Sequence, residues 1–246
     1  MRKWVLRQGI TVHSKARYSY HLYCVLQKCS KWKTLKQGKQ VHQLIIERGL
    51  VSDTYLKTKL IQIYVDCGDS ASAIHLFDEL PQPNLFAWTP MLAAHLRSGN
   101  LKRCLQSYRE MRLQGVSPDV YVFPKVLNAC SKLSDLEWGI QIHADVIRFG
   151  AELNFQANNC LIDMYSKCGV IEVEREVFVK RVERDVSSWN SMISGYVCND
   201  FLGSAIELLG SMELDDFEPD LVTWNTIMVP MSGWGVPRRL LKSLIG

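Results

Sequence analysis

The sequence predicts an all-α fold, an alpha-alpha superhelix built as a solenoid of helical hairpin repeats, and three observations point to it. The chain of 246 residues copies itself at an offset of 101: Cys29, Ser30, Lys31, Leu35, Gly38, Gln40, His42, Ile46 and Gly49 return as Cys130, Ser131, Lys132, Leu136, Gly139, Gln141, His143, Ile147 and Gly150. Leu60, Tyr64, Cys67, Gly68 and Phe77 return as Leu161, Tyr165, Cys168, Gly169 and Phe178, and Trp88, Met91, Met111 and Pro118 as Trp189, Met192, Met212 and Pro219. That offset divides into pieces of 35, 35 and 31 residues, and self-similarity at such a period marks a repeat array. Apolar residues recur at helical spacing, and no segment sustains the alternation of a strand between turn signals.

Taken in order, the repeats run 19–53, 54–84, 85–119, 120–154, 155–185 and 186–220, and a seventh begins at Leu221 and stops unfinished, leaving 221–246 as a partial repeat and basic tail. The sixth shows the pattern plainly. Trp189, Met192, Ile193 and Tyr196 make one apolar stripe, Ala205, Ile206, Leu208, Leu209 and Met212 a second, and Asn199, Asp200 and Gly203 break the chain between them. Each repeat is therefore a helical hairpin. Asn84, Asp119, Asp185 and Asp220 stand just before a following helix, where a side-chain oxygen can cap its free N–H groups. Short connections force the hairpins to stack side by side, so the first helices line one extended surface, and such surfaces bind ligands. After Trp224–Met228 the pattern decays through Pro230, Gly233, Gly235 and Pro237, which oppose a helix.

Composition narrows the function. No apolar run approaches the roughly 18 residues of a membrane span. The eight cysteines form no short paired spacing for zinc or a disulfide framework, and read as small buried hydrophobes in a reducing compartment. The net charge of +4 is uneven, because residues 1–46 hold ten Lys or Arg and no acid. Within 1–18, Arg2, Lys3, Arg7, Lys15 and Arg17 mix with Trp4, Val5, Leu6 and Ile10, the composition of an organellar transit peptide or of a basic tail.

The segments Val186–Tyr196, Asn159–Gly169 and Leu127–Leu133, continuing through Gly139–His143, resemble pentatricopeptide repeats. Tetratricopeptide repeats fit less well, because their W-x2-L-G-x2-Y pattern is missing. The cycle of repeat lengths is similar to the plant PLS subclass, here without a C-terminal E/DYW deaminase-like domain. The resemblance implies recognition of single-stranded RNA, one base per repeat, read by the fifth and last residues. Those pairs are Thr58 with Asn84, Thr89 with Asp119, Asn159 with Asp185, and Asn190 with Asp220. The family's code assigns them A, G, U and U, with the RNA running 5′ to 3′ along the chain. Tyr23 with Asp53 and Pro124 with Asn154 read weakly or not at all, and Asn225 begins an incomplete pair. The implied register is A-G-N-U-U, with C the expected confusion at the last two places.

Two further sets follow from repeat phase. Lys31, Arg97, Lys132 and Lys167 share the thirteenth place and form a candidate phosphate track. Tyr55, Phe86, Tyr121 and Val222 share the second place as candidate wedges against base faces, a habit that Gln156 and Ser187 break. Trp88, Trp189 and Trp224 read as packing residues, and His42 and His143 as structural histidines. No catalytic residues, metal site, cofactor or small-molecule substrate are expected, since deaminase, phosphate-loop and nucleophile motifs are absent. The expectation is a non-enzymatic specificity factor for RNA processing in a plant mitochondrion or, alternatively, a chloroplast. C-to-U RNA editing with a deaminase partner supplied in trans is the foremost role. The rivals are a protein-protein interaction scaffold and a truncated, inactive repeat fragment.

Overall fold

The computed structural model of the chain describes residues 15–179 and 184–233. Residues 1–14 of the basic start, and Arg238, Arg239 and Lys242 of the tail, lie outside the described residues. The described chain is helical throughout, and it divides into two compact halves, Met1–Ser117 and Pro118–Gly246.

In the first half the helices are α1 (Lys15–Trp32), α2 (Leu35–Glu47), α3 (Thr54–Asp66), α4 (Ser70–Asp78), α5 (Leu85–Arg97) and α6 (Leu101–Leu113). The first helices α1, α3 and α5 pack side by side as one layer. The second helices cover them, each touching its own partner, and α2 and α4 also touch the next first helix. Leu22, Leu26, Leu56, Leu60, Ile61 and Ile63 fill the seam. The second half repeats the arrangement with α7 (Phe123–Leu133), α8 (Leu136–Arg148), α9 (Phe155–Lys167), α10 (Ile171–Val179), α11 (Val186–Cys198), α12 (Leu202–Leu214) and α13 (Leu221–Gly233). Here α7, α9, α11 and α13 form the layer, over a core that includes Ile162, Met192, Ile193 and Ile227.

The difference between long and short repeats falls in the outer layer. Helices α4 and α10 have 9 residues, while α2, α6, α8 and α12 have 13. Three first helices, α3, α5 and α9, are followed by a glycine in the left-handed region. Gly68 has φ +83 and Gly169 φ +74, and in each case the N–H groups of the glycine and of the residue after it close back on the last helical turn in a Schellman pattern. Asp200 takes the same conformation after α11 at φ 64, without glycine's freedom.

Three expectations change against the structure. Helix α1 starts at Lys15, inside the segment assigned to the basic start, and Tyr18 is buried there under the Arg48 guanidinium. Helix α7 starts at Phe123, three residues later than repeat phase implies, which puts Pro124, with no N–H to give, in the first turn, where no backbone bond is lost. Pro230 does not end α13, just as Pro90 lies inside α5; the packing of α13 against α11 outweighs one lost backbone bond.

Trp88 and Trp189 are core residues, each meeting a phenylalanine edge to face, Phe77 at 4.7 Å and Phe178 at 4.8 Å. His42 and His143 are structural: their Nδ1 atoms lie 2.8 Å from the Tyr64 and Tyr165 hydroxyls. Burial lowers the pKa of His42 and pushes that of Tyr64 up to about 12, so the contact joins two neutral groups. Replacing Tyr64 with Phe is expected to strand the imidazole nitrogen and cost about 1–2 kcal/mol, seen as a lower urea midpoint. Of the cysteines, all unbridged, Cys29, Cys104 and Cys130 are buried as expected, whereas Cys198 is exposed.

Candidate functional site

The surface of the first-helix layer carries the polar pairs and the wedge residues. In the second repeat they share one cleft of about 210 Å³, lined by Tyr23, Tyr55, Thr58, Lys59, Gln62, Asn84 and Phe86. Tyr55 and Phe86 in its lining are exposed. Thr58 lies buried, its hydroxyl donating to the Thr54 carbonyl at 2.8 Å, so the helix itself holds it with a lone pair left over. Thr89 repeats this bond to Leu85 at 2.9 Å. These threonines therefore gain a local partner that repeat phase alone does not reveal.

Of the six last-place residues, all but Asp119 cap a helix, and each accepts through one atom. Asn84 Oδ1 accepts from the Ala87 N–H at 3.1 Å and Asn154 Oδ1 from the Ala157 N–H at 2.9 Å. Asp53 Oδ1 accepts from Tyr55 and Leu56, and Asp119 Oδ1 from Tyr121 and Val122 in the turn before α7. Asp185 forms a capping box with Ser188. Capping leaves the second atom, an amide Nδ2 or a carboxylate Oδ2, to act elsewhere. An aspartate there can only accept, whereas an asparagine can donate.

The second half holds two asparagine pairs. Asn190 Nδ2 donates to Asp220 Oδ1 at 3.1 Å, while Asp220 Oδ1 also accepts from the N–H groups of Val222 and Thr223, both at 2.9 Å. These bonds, with the Thr223 N–H foremost, hold the Asp220 carboxyl below its ordinary pKa, so it is ionised at neutral pH. Asn159 Nδ2 lies 3.3 Å from Ser187 Oγ, so the serine that breaks the apolar second-place habit supplies a polar partner instead. Thr89 belongs to the first half and Asp119 to the second.

The weaker positions differ in kind. Tyr23 stacks on Tyr55 with ring centroids 4.6 Å apart, and the Lys59 ammonium sits 5.6 Å over it. Pro124 is buried, and Asn225 and Val222 are exposed, as is Tyr121. The cationic track is narrower than its spacing suggests. Arg97 donates to the Val65 carbonyl at 2.7 Å, closing the end of α3, and Lys167 pairs with Asp163 at 3.0 Å. Lys31 and Lys132 are exposed. Lys59, Gln62 and Thr223 carry no signal in repeat phase, because they depart from the second, fifth, last and thirteenth places.

Comparison with known proteins then places these repeats. The PPR repeat family model matches residues 83–132 and the PPR repeat model residues 187–217. Those two stretches are pentatricopeptide repeats. Among similar proteins of Arabidopsis thaliana, the pentatricopeptide repeat-containing protein At4g21065 is 33% identical over 218 residues, covering 88% of this chain and 37% of its own length. At4g25270, named as chloroplastic, is 30% identical over 218 residues, covering 88% of this chain and 41% of its own length. The chain thus spans less than half the length of these pentatricopeptide repeat relatives. Among solved structures, the pentatricopeptide repeat protein PPR10 in complex with an 18-nt psaJ RNA element superposes with a TM-score of 0.73 at 19% identity, covering 84% of this chain and 31% of PPR10. The PPR domain of Arabidopsis thaliana protein-only RNase P 1, in complex with tRNA, gives a TM-score of 0.56 at 14% identity, covering 68% of this chain and 93% of that domain. These likenesses establish the fold, an all-α solenoid of helical hairpins.

Proposed function

We propose that this pentatricopeptide repeat chain binds single-stranded RNA and reads it one base per repeat in the register A-G-N-U-U, over six repeats bounded at 19–53, 54–84, 85–119, 120–154, 155–185 and 186–220. The observation that carries the reading is the cleft that Tyr55 and Phe86 share with Thr58 and Asn84. Two exposed rings in one cleft suit the faces of an unstacked base, and the polar pair suits its edge. Last-place chemistry supports the assignment. The Asn84 amide can donate to adenine N1, while aspartates at 119, 185 and 220 accept from the imino N–H that guanine and uracil carry. Lys31 and Lys132 are the cations left to meet phosphates. That PPR10 and the RNase P domain were solved with RNA supports the same ligand class.

Within that reading the chain is a non-enzymatic specificity factor for RNA processing in a plant organelle. C-to-U editing with a deaminase supplied in trans is the foremost role. The mitochondrion is the proposed compartment, and the chloroplast the alternative that one relative's name favours.

Gel-shift titration of the full chain tests base reading. A single-stranded probe containing A-G-N-U-U is expected to bind about tenfold or more tighter than a scrambled probe of the same composition. Equal affinities would reject it.

A further inference from the structure

Thr223 lies outside the fifth-and-last pair, at the third place of the seventh repeat, and is fully buried. Its hydroxyl accepts from the Asp220 N–H at 3.0 Å and stands within reach of two acceptors, Asn190 Oδ1 at 2.5 Å and Asp220 Oδ1 at 3.0 Å. A hydroxyl has one hydrogen to give. Asp220 Oδ1 is already served by the N–H groups of Val222 and Thr223 and by Asn190 Nδ2, so the proton belongs on the shorter contact, to Asn190 Oδ1. The Asn190 amide is then held at both ends. Turning it over would set its oxygen against the Asp220 carboxylate, which can only accept, and would forfeit the short bond that the Thr223 hydroxyl donates to Oδ1.

We propose that Thr223 is a positioning residue that sets uracil over cytosine at the sixth repeat, by holding the Asn190 amide with its nitrogen toward Asp220. The inference rests on the base-reading function proposed above. In the held orientation one N–H of Asn190 remains for the ligand beside the unused Oδ2 of Asp220. A donor next to an acceptor matches uracil, whose O4 accepts beside an N3–H that donates. Cytosine presents the reverse, an N4 amine that donates beside an N3 that accepts, so both contacts meet their own kind. A reversed amide would offer oxygen to that position, repelling O4 and welcoming the N4 amine. The fifth repeat is built differently, because the corresponding hydroxyl, Ser188 Oγ, donates to the Asp185 carbonyl at 2.8 Å. Position four of the register is therefore an internal control.

The test compares the full chain with its Thr223→Val and Thr223→Ser variants on probes ending A-G-N-U-U, A-G-N-U-C and A-G-N-C-U. Valine keeps the shape and removes the hydroxyl, and is expected to shrink the U-over-C ratio at the last position about tenfold while leaving the ratio at the fourth position unchanged. Serine keeps the hydroxyl and should retain both ratios. An unchanged last-position ratio in a folded valine variant, or an equal loss at both positions, overturns the proposal. So does loss of the ratio in the serine variant. If the parent chain fails to separate A-G-N-U-U from a scrambled probe, base reading itself has failed. If it separates them and valine changes nothing, only the role of Thr223 has.

Discussion

A chain carrying Thr58→Asn and Asn84→Asp is expected to exchange adenine for uracil at the first place of its register, by about 10- to 100-fold in relative affinity. The fold has reason to tolerate the change. An aspartate at position 84 would accept the Ala87 N–H through one oxygen as Asn84 does, and as Asp185 does for Ser188 at 2.7 Å. Only the second atom of the side chain changes, from an NH2 that donates to an oxygen that accepts. Asparagine at the fifth place is accommodated in α9 and α11, where Asn159 and Asn190 are half-buried. Competition gel shifts with A-G-N-U-U and U-G-N-U-U decide the matter. A preference that stays on adenine, with helical content intact, would remove the second repeat from the reading surface.

Glu174→Gln is expected to abolish a fall in stability between about pH 4.5 and pH 8. Glu174 on α10 is fully buried, and neither carboxylate oxygen has a hydrogen-bond partner among the described residues. It lies against Gly195 of α11, where an added Cβ would collide with Oε1. Burial first, and then the charge of Asp163, push its pKa up to about 8. The folded state thus holds a proton that the unfolded chain releases near pH 4.5. Stability contributed by this group is intact below that value and is lost as pH rises toward 8, because the folded state binds more protons throughout the interval. The loss is on the order of 3–5 kcal/mol, large against a typical total stability. Burial lowers the pKa of His42 and His95, so their contribution slopes the opposite way, rising with pH. Urea unfolding of both chains at pH 5.5 and 8.5 separates these effects by difference. Parallel pH profiles for the two chains would mean that Glu174 is solvated or paired in solution.

The repeat offset made the hairpin architecture legible, since Trp88 and Trp189, or His42 and His143, play the same part wherever they recur. Side chains that bind across repeats were less visible. Arg97 reads as a surface cation until its guanidinium is found on the Val65 carbonyl, and Lys167 until Asp163 is found one turn away. Asn199 bridges helices similarly, donating to the Ser166 and Gly195 carbonyls, although its sequence signal is that of a turn. Glu174 sits among Glu172, Arg175 and Glu176, a run that looks solvated, and only the packing of α10 against α11 shows which acid turns inward. Proline was over-read at 230, where α13 continues, and under-read at 124, where it falls in the first turn of α7. In the candidate site, the fifth and last places were marked by family resemblance, whereas Thr223 depends on a hydrogen-bond geometry that has no periodic signature.

The single-atom caps have an evolutionary corollary. Since Oδ1 serves the helix in Asn84, Asp185 and Asp220 alike, drift between the two residue types at that place leaves architecture untouched while altering what the free atom tells an approaching ligand. Recognition can wander from target to target without the lineage ever crossing a misfolded ancestor.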